Sequence, residues 1–146
     1  MTNNPAEPAW EFQHSVDCNT PQQFAWRYWT NVANWNEPRA TVQLNGPFDA
    51  GSELTTTLPG QTLRSVIREV IEDREAVIDM QLPNATLSIH WKFEKLSEDR
   101  TRITQQFVLS GPEAAALVSQ ASVLEKTAPE GMQKLVAAIE RSLMTE

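Results

Sequence analysis

Apolar and polar side chains alternate along residues 10–16, with Trp10, Phe12, His14 and Val16 on one side and Glu11, Gln13 and Ser15 on the other. A period of two predicts a strand with one buried face, and His14 falls on the apolar side of it. Thr20-Pro21-Gln22-Gln23 then reads as a helix start, with Thr20 as cap, Pro21 in the first helical position and Gln23 completing a capping box. Beyond it the period lengthens. Phe24, Ala25, Tyr28, Trp29 and Val32 form one stripe, and Arg27, Thr30, Asn31 and Asn34 form the opposite face. This predicts an amphipathic helix, or two short ones, with Trp29 facing the core and Trp26 at the edge of the stripe. Trp35 comes just before Glu37-Pro38, where a helix does not easily continue, so the pattern leaves its direction open.

The middle of the chain reads as strands separated by turn chemistry. They are expected at Thr41 to Leu44, Ser52 to Leu58, Arg64 to Ile71 and Ala76 to Gln81, broken by Asn45-Gly46-Pro47, Pro59-Gly60, Glu72-Asp73-Arg74-Glu75 and Pro83-Asn84. Leu87, Ile89, Trp91 and Phe93 then alternate with Ser88, His90, Lys92 and Glu94. After the turn Ser97 to Arg100, Ile103, Gln105, Phe107 and Leu109 alternate with Thr104, Gln106, Val108 and Ser110. Seven short strands with hairpin-sized connections predict one antiparallel sheet. Gly111-Pro112 ends it. Residues 113–126 are alanine-rich and expected to be helical, and Pro129 begins or kinks a last helix with the stripe Met132, Leu135, Val136, Ile139 and Leu143, while Lys134 and Arg141 face out. An α+β arrangement follows. A sheet with one apolar face must be covered, the C-terminal helix is long enough to cover it, and a curved sheet gripping that helix leaves a pocket between them.

Composition narrows the function. The chain has 146 residues, the length of one domain, and buries about 70% of its unfolded surface without needing disulfides or a metal. Residues 1–8 are expected to be a flexible tail and 9–146 one domain. A net charge of −7 argues against nucleic acid and against an anionic membrane surface, both of which are held by clustered Lys and Arg. No apolar run approaches the ~20 residues of a membrane helix, and Met1 to Trp10 lacks the pattern of a secretory leader. With Cys18 as the single cysteine, no internal disulfide forms, and a cytoplasmic location is expected. Beside a helix start, Cys18 reads as structural rather than nucleophilic.

No GxGxxG, P-loop or GxSxG motif is present, and no cofactor is expected. His14 and His90 lie on different strands with no cysteine or carboxylate at ligand spacing, so no metal is expected either. Glu72-Asp73 and Glu98-Asp99 lie in turns and read as solvated.

The first strand leading into TPQQFAWRYWTNVANWNEP, then GPFDAGSEL, then WKFEKLSEDRTRITQQFVLSGP, then GMQKLVAAIERSLM, resemble in order and spacing the START/Bet v 1-like (SRPBCC) superfamily, and within it the bacterial polyketide cyclase/dehydrase-like proteins. The resemblance spans about residues 10–144. It implies a helix-grip fold: a curved seven-stranded antiparallel sheet around a long C-terminal helix, two short helices after strand 1, and a deep hydrophobic cavity. Members bind lipids, sterols, polyketides or plant hormones, others are aromatases and cyclases, and some are co-chaperone domains. Fold does not choose among these.

Taken with the pattern, the resemblance makes a small hydrophobic ligand, lipid-like or aromatic, the expected partner. The expected cavity lining is Phe12, His14, Trp29, Trp35, Trp91, Gln105, Phe107, Met132 and Val136. For Trp29, Trp91 and Phe107, core filling and pocket lining are overlapping roles, and Trp35 could stand at the cavity mouth. Gln105 interrupts an apolar face, and a buried amide without partners costs roughly 1–3 kcal/mol. It either bonds a neighbour or water, or orients the polar end of a ligand. His14 is a satisfied core histidine or a general base. An aromatase or dehydratase would need an inward Arg, His or Tyr to polarise a ketone, and Arg68 and His14 are the candidates. Arg64 and Arg68 share a face with Val66 and Val70, against Ile67 and Ile71, so parity does not say which face is inside. The third possibility is a co-chaperone-like interaction module, which needs no cavity.

Overall fold

A computed structural model describes residues 8–145, so the expected tail, apart from Pro8, lies outside the described residues. The elements are β1 (Trp10–Cys18), α1 (Gln22–Thr30), a 3-10 turn (Val32–Trp35), then β2 (Thr41–Asn45), β3 (Glu53–Leu58), β4 (Gln61–Ile71), β5 (Glu75–Leu82), β6 (Ala85–Ser97) and β7 (Arg100–Ser110). A second 3-10 turn (Ala114–Leu117), α2 (Val118–Ala121) and the long α3 (Leu124–Met144) follow. The strands form one seven-stranded sheet in the order β1-β7-β6-β5-β4-β3-β2, antiparallel at every pairing. Hairpins join β2 through β7 in sequence, and β1 closes the sheet by pairing with β7.

The period-two pattern carries directly into this sheet. In register across β1, β7, β6 and β5, Phe12 faces Phe107, Phe107 faces Ile89 and Ile89 faces Ile78, a continuous apolar row under the helices. The next row is His14, Gln105, Trp91 and Ala76. Two cores form on this concave side. One joins Trp26, Trp29, Phe93, Ile67, Ile103 and Ile139 beneath α1 and the C-terminal half of α3. The other joins Leu87, Phe107, Leu109 and Ala114, with Trp10 and Phe12, beneath the short helices.

Three local expectations are corrected. Thr20 does not cap α1: Pro21 precedes the helix with extended backbone, and no side chain caps it. Thr20 is instead fully buried, its carbonyl accepting a hydrogen bond from Thr101 Oγ1 at 2.8 Å and its hydroxyl lying 3.3 Å from Cys18 Sγ. The hydroxyl that a cap would have used turns instead to the Cys18 thiol of β1, while the carbonyl is tied to β7. Trp26 is not at an edge but buried, with Phe48 and Phe93 packed edge-on against its ring. Pro129 does not begin the last helix: α3 starts at Leu124 and runs through it, at the cost of one backbone hydrogen bond near its first turn.

Cys18 is wholly buried, and that burial raises its thiol pKa above the ordinary value. The folded state therefore holds the proton more tightly than the unfolded chain does. The stabilisation this group provides is complete below the ordinary thiol range and is lost as pH rises through that range and beyond. Alkylation of native protein at pH 8 is expected to be on the order of 100-fold slower than in urea, since only opening exposes the thiolate. Equal rates, followed by mass spectrometry, would contradict this packing.

Candidate functional site

Between the sheet, α3 and the segment from α1 to Glu37 lies a cavity of about 430 Å³. β6 supplies Trp91 and β7 supplies Gln105 and Phe107 as its sheet wall. Leu124, Ala128, Gly131, Leu135 and Ala138 recur at three- and four-residue spacing on α3 and form the opposing wall, with Met132 beside them. Gly131 leaves that wall low, for a Cβ placed there would meet nothing within 4 Å. Asn34, Asn36, Glu37 and Lys134 are exposed residues of the lining and form a polar mouth. Local bonds hold this mouth in shape: Asn34 Nδ2 donates to the Tyr28 carbonyl at 2.9 Å, and Asn36 Oδ1 accepts from the Val42 amide at 2.7 Å.

The aromatic cluster of residues 26–35 is both core and wall. Trp29, only 1% exposed, packs with its ring centroid 4.7 Å from Trp91 and 5.3 Å from Trp35. Trp35 turns inward because its Nε1–H donates to the Trp29 carbonyl at 2.6 Å, which pins the ring against the cavity. That bond decides the direction which the helical pattern left open.

Of the residues expected to line a cavity, the structure gathers Trp29, Trp35, Trp91, Gln105, Phe107 and Met132 in the lining. Phe12, His14 and Val136 are not in it. Phe12 packs between Trp10 and Phe107, with ring centroids 6.2 and 6.3 Å away, and Val136 fills the core beneath α1. Tyr28, Asn34, Glu37 and Lys134 line the cavity although sequence placed Tyr28 in the core stripe and Asn34 and Lys134 on outer faces. The three- and four-residue spacing from Leu124 to Ala138 was the available signal for the helix wall, hidden by reading Pro129 as a helix start or a kink.

Arg68 is also corrected. It lies on the convex face of the sheet, its side chain 55% exposed, with Nε donating to Asp79 Oδ2 at 2.7 Å. The register of β4 on β5 slips between Ile67 and Glu69, so Arg68 sits in a β-bulge. The bulge breaks the parity of the strand: Val66 faces outward with Arg64 and Arg68, while Ile67 and Val70 both reach the core. Arg68 therefore stands on the far side of the sheet from the cavity. His90 is on that side too, bonded to Glu75 Oε1 at 2.9 Å.

His14 lies behind Gln105. The two are cross-strand partners, and His14 Nε2 is 2.7 Å from Gln105 Oε1. His14 is held by stacking, its ring 5.5 Å from Phe12 and 6.4 Å from Phe107, nearly parallel to the latter. Its Nδ1 is buried with no hydrogen-bond partner among the described residues. The tautomer follows from that. A proton on Nδ1 would be an orphaned N–H, a rarer arrangement than a bare acceptor. With the proton on Nε2, His14 donates to Oε1, which accepts it.

Among the described residues no three His, Cys, Asp or Glu side chains gather as a metal site, and no helix is long and apolar enough to cross a membrane.

No protein-family model matches the sequence, and no curated protein matches it in sequence. Solved structures match its fold. The Zhui aromatase/cyclase from a Streptomyces species is 15% identical with a TM-score of 0.72, over 91% of this chain and 94% of that one. Norcoclaurine synthase from Thalictrum flavum, in complex with dopamine and hydroxybenzaldehyde, is 14% identical with a TM-score of 0.69, over 100% of this chain and 95% of that one. A protein from Arthrobacter aurescens is 17% identical with a TM-score of 0.64, over 98% and 94%. At these identities the likeness is one of fold: a curved antiparallel sheet around a long C-terminal helix, the Bet v 1-like helix-grip architecture.

Proposed function

We propose that this protein binds a small, largely apolar molecule in the cavity between its sheet and α3. The observation that carries the proposal is a space of about 430 Å³ walled by Trp29, Trp35, Trp91, Phe107 and Met132 and opening through a polar mouth. Its volume falls in the range of small-molecule sites, and such sites are mostly apolar with a few placed polar groups. Burial of ligand apolar surface supplies the affinity, at about 25 cal/mol per Å² before the losses of association. A cytoplasmic location belongs to the same proposal, since a lone buried thiol fits a reducing compartment.

Catalysis on a molecule held there is the second reading. Tyr28, Glu37 and Lys134 bring a phenol, a carboxylate and an ammonium to the lining, groups able to do general acid–base work. Two of the structures alike in fold are named as an aromatase/cyclase and as a synthase holding aromatic molecules. Arg68 and His14 are not in the lining, the first exposed and paired with Asp79 and the second bonded to Gln105, so this reading rests on the other three. The interaction-module reading needs no cavity and leaves this one without a role.

Native mass spectrometry of gently purified protein, followed by tryptophan-fluorescence titration with fatty acids, sterols and aromatic polyketide-like compounds, tests the proposal. A bound mass lost on denaturation is expected, with saturable quenching from the wall tryptophans. Gly131→Leu is the paired variant. It should raise helix stability by about 0.8 kcal/mol, because glycine is a poor helix former, while filling the cavity and weakening binding at least tenfold. No adduct and no quenching by any class, or undiminished binding by Gly131→Leu, would count against it.

A further inference from the structure

We infer that Gln105, held by His14, selects ligands whose inner end carries a hydrogen-bond acceptor. The inference rests on the cavity-binding reading above. The sheet wall of the cavity consists of Trp91, Gln105 and Phe107, so Gln105 brings the one amide to that wall, beside the indole of Trp91. Its Oε1 already accepts the His14 Nε2–H at 2.7 Å. Its amide nitrogen makes no hydrogen bond among the described residues and is not fully buried, and Gln105 is in the cavity lining. What Gln105 offers a ligand is therefore a pair of N–H donors. An amide free to rotate would offer either its oxygen or its nitrogen and would accept either kind of ligand group.

His14 removes that freedom. Its ring is stacked against Phe12 and Phe107, and it reaches Gln105 from the side away from the cavity. With Nε2 as donor, the bond fixes which end of the Gln105 amide points inward. His14 is thus a positioning residue. A ligand covering Gln105 strips water from the two N–H groups, and they must then meet an acceptor or stay unpaired. A ketone, quinone or ester oxygen meets them, whereas a hydrocarbon edge or a ligand N–H does not. A site that donates hydrogen bonds rejects the analogue lacking the acceptor far better than an apolar wall discriminates by size. The ligand class is then a largely apolar molecule with a carbonyl-type oxygen at the end that meets Gln105.

The probes are 9-fluorenone and fluorene, tricycles of nearly one shape that differ by a carbonyl in place of a methylene. Equilibrium dialysis gives the ratio of their dissociation constants for wild type, Gln105→Leu, Gln105→Met, His14→Leu and His14→Gln, each checked for folding by circular dichroism. Comparing ratios between variants cancels the different hydrophobicity of the two probes. The preference for fluorenone is expected to fall about five- to tenfold in both Gln105 variants. It should fall comparably in His14→Leu and return only in part in His14→Gln, whose amide can donate to Oε1 but, unlike the imidazole, can also turn to accept. Purely structural damage at position 14 would weaken both probes alike and leave the ratio unmoved. Two Gln105 variants keep the comparison alive if one fails to fold. An unchanged ratio in both, with both probes still bound, overturns the selection by acceptor and leaves the cavity reading standing. A ratio that falls in the Gln105 variants but not in His14→Leu overturns the role of His14. Binding of neither probe to wild type overturns the cavity reading and this inference with it.

Discussion

Trp29→Ala is expected to destabilise the fold by about 3–5 kcal/mol, the usual cost of deleting a large buried aromatic. Trp29 is among the largest fully buried side chains, and its ring contacts five others. Trp26, Trp35, Phe48, Trp91 and Phe93 come from α1, the following turn, the β2–β3 connection and β6, and they meet on this one ring. Few alternative packings exist, so the hole would not collapse well. Since a domain of this kind is stable by only about 5–15 kcal/mol, the variant would stand near the unfolding threshold. Urea titration followed by circular dichroism measures the loss, with Trp29→Phe as the volume control at about 1–2 kcal/mol. A loss below about 1.5 kcal/mol for the alanine variant would mean that the aromatic cluster is not the keystone described here. The same deletion should also abolish ligand binding, because this ring is a wall of the cavity.

Gly111→Ala is expected to cost about 2–5 kcal/mol, combining backbone strain with overpacking. Gly111 ends β7 with φ +121, a region that side chains with a Cβ rarely enter. A Cβ there would lie 2.8 Å from Ala85 Cα and 3.0 Å from the Asn84 carbonyl oxygen. Both are backbone atoms, of the β5–β6 turn and of the first residue of β6, and neither can swing aside. That turn is bound to the same crossing, as the Glu113 amide donates to the Asn84 carbonyl at 3.0 Å and the Asn84 side-chain amide to the Glu113 carboxylate. Gly60→Ala is the comparison: φ is +73, but nothing stands within 4 Å, so only the conformational cost of about 1–2 kcal/mol applies. Thermal melts of the two variants should separate clearly. Equal losses would show that the close approach at Gly111 carries no weight.

Much of the fold is legible in the residues themselves. The alternation at Trp10–Val16, Leu87–Phe93 and Ile103–Leu109 appears as β1, β6 and β7 with their apolar rows on one face. A strand with one buried face must repeat every two residues, and nothing but chain order is needed to see it. Arg68 shows where that logic stops. Parity counts assume an unbroken strand, and the bulge at Arg68 resets the count through pairing with β5, so Val66 and Val70 end on opposite sides. The helix wall of the site was misread for a related reason. Pro129 is a helix breaker by local chemistry, yet packing of α3 on the sheet carries the helix through it.

The sequence by itself determined the seven strands and the long C-terminal helix, the apolar face of the sheet, the core position of Trp29 and the oddity of a glutamine at 105. Those follow from local periodicity and from the cost of burying an amide. Only the tertiary structure decided which way Trp35 and Arg68 point, that a cavity exists, and that the partner of Gln105 is His14. Each of these depends on a register, a bulge or a bond between residues distant in the chain. A pattern read along one strand shows which side chains share a face. It holds no information on the strand that lies beside it.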